Sequence, residues 1–298
     1  MSIARRQRTL SRSATVEGFG YFSGRDVRVE FRPAAANSGI SFVRCDLDSP
    51  ITIPASAALR IDVPRRTTLQ HLGVRVEMVE HILAALAGLH VDNCEVWVDA
   101  PEMPGCDGSA LAFVEAIDAA GTVEQDAPAR RLIVADSVRV GDGNTWIEAH
   151  PPGTGNAGLH ISFELDYGPD TAIGRQSFSL DVTPEAFRAE LAPCRTFLLE
   201  REAQAMIDQG IGTRVRPQDL LIFGPSGPIE NKLRFSNECV RHKVLDVLGD
   251  LALTDHEVIG RVVSYRSGHR LHAELARRLG ERAARGNDWE QRLARRCA

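Results

Sequence analysis

The sequence has no long apolar run, and this excludes the usual form of a membrane-spanning chain. No stretch approaches the roughly 18 consecutive apolar residues that a transmembrane helix requires. Residues 1–10 include several basic side chains, but no apolar segment follows them, so no secretory signal is predicted. We therefore expect a cytoplasmic protein without a transmembrane segment.

Cysteine is sparse, and no excess of basic residues is present. The six cysteines of the 298 residues lie far apart and form no CxxC pair, so we expect reduced thiols rather than a disulfide framework. The 35 basic and 40 acidic residues give a formal net charge of −5. The arginine-rich end, 277–296, also contains acids. Nucleic acid is therefore not an expected partner, and nothing points to a state other than a monomer.

Composition and length predict a globular protein with two domains. The chain is 43% hydrophobic and 25% charged, as in ordinary globular proteins, and 298 residues suffice for two cores. Segment 122–130 is polar and contains one proline. We place the boundary there, which gives an N-terminal domain of residues 1–125 and a C-terminal domain of residues 126–298.

The hydrophobic pattern predicts the same kind of α/β unit in each half. In both halves short strands come first, and a helix, a strand and a second helix follow. Gly88 and Gly121 are interpreted as helix stops, and Ser109 as an N-cap. The elements that support this repeat are strands at 27–31 and 58–63, helix 77–89, strand 94–98, helix 109–120, strands at 132–140, 145–149 and 159–165 with a turn at 141–144, helix 237–253, strand 258–265 and helix 269–279.

Three side chains on two of these helices could bind a metal. His242 and Asp246 are spaced i and i+4, which places them on one helix face. His81 lies on the corresponding helix of the first half. If the two helices pack together, these residues form a three-ligand site with an open position, as catalytic zinc requires. The adjacent Glu80 is then the natural general base. The competing interpretation is that these are ordinary solvated or core groups.

Two further residues could complete an acid–base site. Asp250 follows Asp246 by one helical turn, and His269 lies between a strand and a helix, where functional side chains are often presented. A carboxylate beside an imidazole can form an oriented acid. The alternative for His269 is a simple loop residue at a helix start. The glycine-rich segment 18–24 lacks the third glycine of a dinucleotide-binding loop and is interpreted as a hairpin loop.

Taken together, the motifs resemble those of UDP-3-O-acyl-N-acetylglucosamine deacetylases, in the same order and from about Arg6 to about Leu279. The segments that carry the resemblance are 32–39 (RPAAANSG), 79–88 (VEHILAALAG), 107–110 (DGSA), 195–197 (RTF), 240–246 (VRHKVLD), 249–251 (GDL) and 267–269 (SGH). The resemblance implies an α/β fold of the α+β sandwich type. It has two similar domains, each a β-sheet packed on a pair of helices, with the active site between them.

The resemblance also implies a zinc-dependent hydrolase of lipid A biosynthesis. Its substrate is an acylated UDP-amino sugar, from which the N-acetyl group is removed. The residues that match the family's positions are the zinc ligands His81, His242 and Asp246, the general base Glu80, the acid His269 with its partner Asp250, the oxyanion hydroxyl of Thr196, the substrate-packing ring of Phe197 and the cation Lys243. Whether Glu80 or His269 delivers the last proton stays open.

The chain departs from the family pattern at three places. Phe22 stands where a histidine is usual, and segment 212–219 replaces a Gly-Gly-Ser stretch that helps to shape the acyl passage. Asn237 stands where an aspartate is common, and it could act as a helix N-cap. The acyl chain length therefore stays undecided.

Two other functions remain open at this level. Two histidines and a carboxylate also form the facial triad of non-haem Fe(II) enzymes. A non-catalytic metal-binding homologue would keep the fold, although a structural metal usually has four protein ligands. Replacing Glu80 by glutamine separates a hydrolase from a binding protein.

Overall fold

The computed structural model describes residues 5–153 and 158–296. Its strands are β1 (Arg6–Leu10), β2 (Ala14–Phe19), β3 (Asp26–Pro33), β4 (Ile40–Arg44), β5 (Ile51–Pro54), β6 (Arg60–Ile61), β7 (Thr68–His71), β8 (Val74–Glu77), β9 (Cys94–Val98), β10 (Thr122–Pro128), β11 (Arg131–Ile133), β12 (Val138–Gly141), β13 (Trp146–His150), β14 (Leu159–Asp166), β15 (Arg175–Asp181), β16 (Phe197–Leu199), β17 (Leu221–Gly224), β18 (Gly227–Pro228) and β19 (Glu257–Tyr265).

The helices are α1 (Glu80–Gly88), α2 (Leu111–Ala120), α3 (Pro184–Ala186), α4 (Glu200–Ile207), α5 (Glu238–Leu251) and α6 (His269–Arg296). Short 3-10 turns occur at Ala57–Leu59 and Ala252–Thr254, and a π-helical turn at Phe187–Leu191. In the part of the chain that the structure describes, none of these helices is both long and apolar enough to cross a membrane.

The two main sheets have the same strand order and the same strand directions. The first runs β2-β3-β9-β4-β5 and the second β12-β13-β19-β14-β15. In each, the central strand, β9 or β19, is parallel to one neighbour and antiparallel to the other. A helix precedes this central strand and another follows it. The predicted repeat of helix, strand and helix is therefore observed in both halves, and the mixed α/β class is confirmed.

Helices α1 and α5 approach each other closely enough to need a glycine. A Cβ atom at Gly249 of α5 would lie 2.1 Å from the carbonyl oxygen of Glu80 at the start of α1. Both helices are largely buried, and their apolar side chains, such as Ile82, Leu83 and Leu245, belong to the core. This contact brings the polar residues of the two helices, which face each other, into one place.

Several predicted element boundaries were wrong. Segment 122–130 is not a plain linker, because β10 within it pairs antiparallel with β1. Predicted strand 132–140 is broken into β11 and β12, and predicted strand 58–63 is a 3-10 turn followed by the short β6. Helix α1 begins later than predicted, because residues 74–77 form β8. How the chain divides into domains remains a prediction.

The predicted helix ends had mixed outcomes. Gly121 follows α2 with a φ of 69°, as a helix stop does. Ser109 is not the N-cap, since Ala110 occupies that position. Gly88 is the last residue of α1 and not the residue after it. A Cβ there would meet the Phe187 ring at 2.4 Å, so packing rather than helix termination requires this glycine.

The hairpin and thiol predictions agree with the structure. The turn at 141–144 joins β12 and β13, and the glycine-rich segment 18–24 turns between β2 and β3. Free thiols are present at Cys45, Cys94, Cys106, Cys194 and Cys239, while Cys297 lies outside the described residues.

Candidate metal centre and active site

Three side chains from the facing helices converge with their ligand atoms. His81 comes from α1, and His242 and Asp246 come from α5. One ligand atom of each lies within 4.8 Å of the others, and the Nε2 atoms of His81 and His242 are 3.8 and 3.5 Å from Oδ1 of Asp246. All three side chains are buried. The clustering that the sequence predicted is therefore observed.

The carboxylate of Asp246 has one oxygen without a partner. Its Oδ2 accepts from the Lys243 ammonium at 2.6 Å. Its Oδ1 is buried and has no hydrogen-bond donor among the described residues. A buried, unpaired carboxylate oxygen is costly unless it binds something. Two imidazole nitrogens and one carboxylate oxygen are a donor set that suits zinc and related divalent cations, so these residues fit a metal.

Both histidines of this cluster present a neutral imidazole. Burial, together with the neighbouring His242, lowers the pKa of His81 to about 3. Burial also lowers the pKa of His242. Nδ1 of His242 lies 3.1 Å from the carbonyl oxygen of Cys194, to which it donates. This bond fixes the tautomer with its hydrogen on Nδ1, so the lone pair of Nε2 is available to a metal.

Glu80 lies beside the cluster, and the backbone of Thr67 binds only one of its two carboxylate oxygens. Oε2 accepts from the backbone N–H of Thr67 at 3.0 Å. Oε1 lies 3.9 Å from Nε2 of His269. Burial raises the pKa of Glu80 to about 7, despite the opposing charge of His269. A carboxylate whose pKa lies near neutrality is suited to accept and release a proton.

His269, at the start of α6, forms an ion pair with the buried Asp250. Nδ1 of His269 lies 2.9 Å from Oδ2 of Asp250. Burial by itself lowers the pKa of His269, but the carboxylates of Asp250, Asp246 and Glu80 outweigh it and raise the value to about 9. His269 is therefore protonated at neutral pH and can donate from Nε2, the atom that faces Glu80 and Asp246.

Two residues of this network were missed by the sequence reasoning. His272 is fully buried, with Nδ1 at 2.9 Å from Asp250 Oδ2 and Nε2 at 2.7 Å from Ser267 Oγ. Thr67 is fully buried and donates its hydroxyl to Asp250 Oδ1. The spacing of His269 and His272, three residues apart at a helix start, was a usable signal for His272. No local pattern marks Thr67.

Thr196 is positioned by the DGSA segment. Its backbone N–H and its hydroxyl lie 2.8 and 3.1 Å from the carbonyl oxygen of Gly108. The same hydroxyl is 3.2 Å from Nε2 of His242, so it lies next to the metal cluster. Gly108 has a φ of 81°, and a Cβ there would meet the Asp219 carbonyl at 3.0 Å. Only glycine therefore suits this turn.

Lys243 and Phe197 also lie at the cluster. Burial lowers the pKa of Lys243, but its ion pair with Asp246 outweighs this and the pKa is raised. The Phe197 ring packs edge-on against His242, with the ring centroids 6.2 Å apart. The preceding Arg195 forms a buried ion pair with Glu238 at 2.8 Å, which connects the RTF segment to the first turn of α5.

A cavity of about 660 Å³ opens onto these residues. One part of its wall is apolar and includes Met206, Ile207, Ile211 and Ile222. Another part carries cationic side chains. Such a cavity suits a ligand with an apolar chain and an anionic head. The cationic residues in its lining are Arg60, Arg65, Arg266, Arg270 and Lys243.

Two of the sequence departures also border this cavity. Phe22 lines it, and the Arg66 guanidinium lies 3.8 Å from the centroid of its ring. Gly212 and Val215, from the altered segment 212–219, line the apolar part. Asn237 occupies the N-cap position of α5, but its side chain makes no capping bond and instead accepts from Arg241 at 2.7 Å.

Comparison with known proteins gives one consistent result. Residues 7–281 match the model of the UDP-3-O-acyl N-acetylglycosamine deacetylase family. A UDP-3-O-acyl-N-acetylglucosamine deacetylase of Myxococcus xanthus is 39% identical over 92% of this chain and 86% of its own length. Proteins of the same name from Actinobacillus succinogenes and Thermosynechococcus vestitus are each 38% identical, over 93% and 94% of this chain and 90% and 95% of their own lengths.

Proposed function

The chain belongs to the UDP-3-O-acyl N-acetylglycosamine deacetylase family, and we propose that it hydrolyses the N-acetyl group of UDP-3-O-acyl-N-acetylglucosamine to a free amine and acetate. It is an enzyme, a metal-dependent hydrolase that acts on an amide. Its product is then the UDP-3-O-acyl-glucosamine that enters lipid A biosynthesis. The observation that carries the proposal is the unpaired Oδ1 of Asp246, which lies between two imidazole nitrogens and beside Glu80.

His81, His242 and Asp246 would hold the metal, which we propose is zinc. A divalent cation at such a site lowers the pKa of a bound water and polarises a carbonyl oxygen. The neutral imidazoles and the charged carboxylate give a donor set with one negative charge. The Lys243 ammonium at Asp246 Oδ2 keeps that carboxylate oriented, with Oδ1 toward the histidines.

Glu80 acts as the general base. Its buried carboxylate has a pKa of about 7 and one oxygen, Oε1, that is not held by Thr67. It takes the proton from the water that attacks the acetamide carbon. The charge that develops on the carbonyl oxygen is stabilised by the Thr196 hydroxyl. The backbone N–H of Thr196 donates to the Gly108 carbonyl and holds the residue beside the cluster, so the hydroxyl can turn its single hydrogen from that carbonyl to the substrate oxygen.

His269 acts as the general acid. An amide nitrogen is a poor leaving group until it is protonated, so cleavage of the C–N bond needs a proton donor on that side of the substrate. His269 is charged at neutral pH, and Asp250 fixes its Nδ1–H so that Nε2–H faces the reacting groups. Asp250 thus has the orienting role that a carboxylate has beside a catalytic imidazole.

The cavity supports the proposed substrate. Its arginines and Lys243 suit the diphosphate of a sugar nucleotide, and its apolar wall near Phe197 and Ile211 suits an acyl chain. Because a sugar nucleotide dissolves in water, the reaction needs no membrane embedding. We propose that the protein works in the cytoplasm as a monomer, in keeping with its free thiols.

The decisive experiment measures amine release from UDP-3-O-acyl-N-acetylglucosamine across several acyl lengths. The wild type is assayed as purified, metal-stripped and restored with zinc or with Fe(II), alongside Glu80→Gln. Glu115→Gln, on the exposed side of α2, makes the same charge change away from the site. Zinc-dependent turnover that Glu80→Gln abolishes and Glu115→Gln retains supports the proposal. Folded, zinc-loaded protein without turnover at any acyl length contradicts it and favours a metal-binding role.

A further inference from the structure

Thr67 hydrogen-bonds both to the proposed base, Glu80, and to Asp250, the residue that orients the proposed acid. It is fully buried immediately before β7. Its backbone N–H donates to Oε2 of Glu80 at 3.0 Å, and its hydroxyl donates to Oδ1 of Asp250 at 2.5 Å. Its carbonyl oxygen accepts from the N–H of Val79, the residue before α1. All three of its polar groups are therefore used.

These bonds connect two separate parts of the site. Glu80 begins α1, whereas Asp250 lies near the end of α5 and holds His269 of α6. Within the described residues Asp250 receives three side-chain donors, and Thr67 supplies the one to Oδ1, while His269 and His272 donate to Oδ2. Without the hydroxyl, Oδ1 would be a buried charged acceptor with no donor, and the carboxylate could turn toward other partners.

We propose that Thr67 is a positioning residue, which holds the base Glu80 and the Asp250–His269 pair in the relative placement that amide cleavage needs. The inference rests on the proposed function. Thr67 does not touch the metal ligands, so it acts on the proton transfers and not on metal binding. Loss of a partner that orients a metal ligand typically lowers activity about 10- to 100-fold, and we expect a loss of the same order for a residue that orients the base and the acid.

The adjacent residue provides a matched control. Thr68 is as fully buried as Thr67, but its Oγ1 has no hydrogen-bond partner among the described residues. Thr67→Val and Thr68→Val therefore make the same chemical change at neighbouring buried positions, and only the first removes a bond. Thr67→Ser keeps the hydroxyl and loses only a methyl group.

The test measures kcat, KM and bound zinc for the three variants, and compares crystal structures of the wild type and both valine variants. We expect Thr67→Val to lower kcat about 10- to 100-fold with KM and zinc content unchanged. Thr67→Ser should keep most of the wild-type kcat, because it keeps the hydroxyl. Thr68→Val should match the wild type. In the Thr67→Val crystal the Asp250 carboxylate should turn and the His269 contact of 2.9 Å should lengthen.

Three outcomes overturn the inference: a kcat of Thr67→Val within about twofold of wild type, an equal loss in Thr68→Val, or an unchanged Asp250–His269 pair in the Thr67→Val crystal. The last outcome is decisive without turnover. If the wild type itself does not release amine, the proposed function fails, and the crystal structures still decide whether Thr67 positions Asp250.

Discussion

His269 and His272 share one acceptor, since the Nδ1 atom of each imidazole lies 2.9 Å from Oδ2 of Asp250. A carboxylate oxygen has lone pairs for both donors. Burial opposes ionisation of Asp250, but the two imidazoles outweigh it and lower its pKa to about 2. Burial lowers the pKa of His272, so this imidazole is neutral. Of the two imidazoles, only that of His269 therefore carries a positive charge that balances Asp250.

Replacing His272 should affect both folding and turnover. His272→Leu removes a donor from Asp250 and an acceptor from Ser267, both of them buried. We expect a loss of about 2 kcal/mol in the free energy of unfolding, because buried polar groups are left unpaired. Turnover should also fall, because Asp250 is less firmly oriented. Urea denaturation of the metal-free protein and steady-state kinetics measure the two effects.

A histidine outside the site provides the comparison for His272. Among the described residues, the His256 side chain has a local hydrogen-bond partner: its Nδ1 donates to the Thr254 carbonyl oxygen at 2.6 Å. His256→Leu should retain turnover. If His272→Leu is as active and as stable as the wild type, the buried hydrogen bonds of His272 have no energetic role.

The dependence of kcat/KM on pH should be bell-shaped. Glu80 must be ionised to accept a proton, and burial raises its pKa to about 7, so activity rises with pH through that region. His269 must be protonated to donate. Burial lowers its pKa, but nearby carboxylates outweigh this and give about 9, so activity falls as pH rises through that value. A bound cation repels both protons, so both midpoints should lie at or below these values.

The variant His269→Gln tests the assignment of the basic limb. Its residual activity should no longer fall in the alkaline range, because glutamine does not titrate. An unaltered alkaline limb in His269→Gln would show that another group supplies the proton, and would move the acid role to Glu80.

The sequence predicted the helices and the metal cluster better than the network around them. His242 and Asp246 lie on one turn of α5, so their shared face follows from helix geometry alone. Glu80 and His81 were included in the predicted site because the repeated order of elements makes α1 the counterpart of α5. These predictions needed only local periodicity and one symmetry argument.

The remaining contacts depend on long-range pairing that no local pattern encodes. Thr67 and Asp250 are 183 residues apart, and their hydrogen bond exists only because the residue before β7 lies against both helices. Strand β10 looked like a linker because its residues are polar, and it is a strand because β1 pairs with it. The side chains of a polar edge strand give little indication of strand structure, since the hydrogen bonds that pair it with its neighbour join backbone groups.

Metal binding should depend on the charge of Asp246. Asp246→Asn keeps the shape of the side chain but removes the charge that faces His81 and His242. We expect zinc affinity to fall more than about 100-fold, because outer partners alone are worth about 10- to 100-fold. Competition with a chromophoric chelator measures the affinity. Asp118→Asn, at an exposed ion pair on α2, should bind zinc as the wild type does. Equal affinity in Asp246→Asn would remove this residue from the ligand set.

The contact between α1 and α5 should control both stability and metal affinity. A Cβ at Gly249 would lie 2.1 Å from the Glu80 carbonyl oxygen and 3.2 Å from the Ala84 nitrogen, so Gly249→Ala must push the helices apart. Overpacking of this kind costs about 1–3 kcal/mol. It also separates His81 on α1 from the two ligands on α5.

Gly280 is the matched control for Gly249, because it also lies in a helix but has no atom within 4 Å of an added Cβ. Gly280→Ala should leave zinc affinity unchanged and raise stability by up to about 1 kcal/mol, through the higher helix propensity of alanine. Urea unfolding without metal and zinc titration separate the two consequences for Gly249→Ala. If that variant loses stability but binds zinc as tightly as the wild type, the ligands tolerate a wider spacing of the helices. If it loses neither, the close contact between α1 and α5 does not position the site.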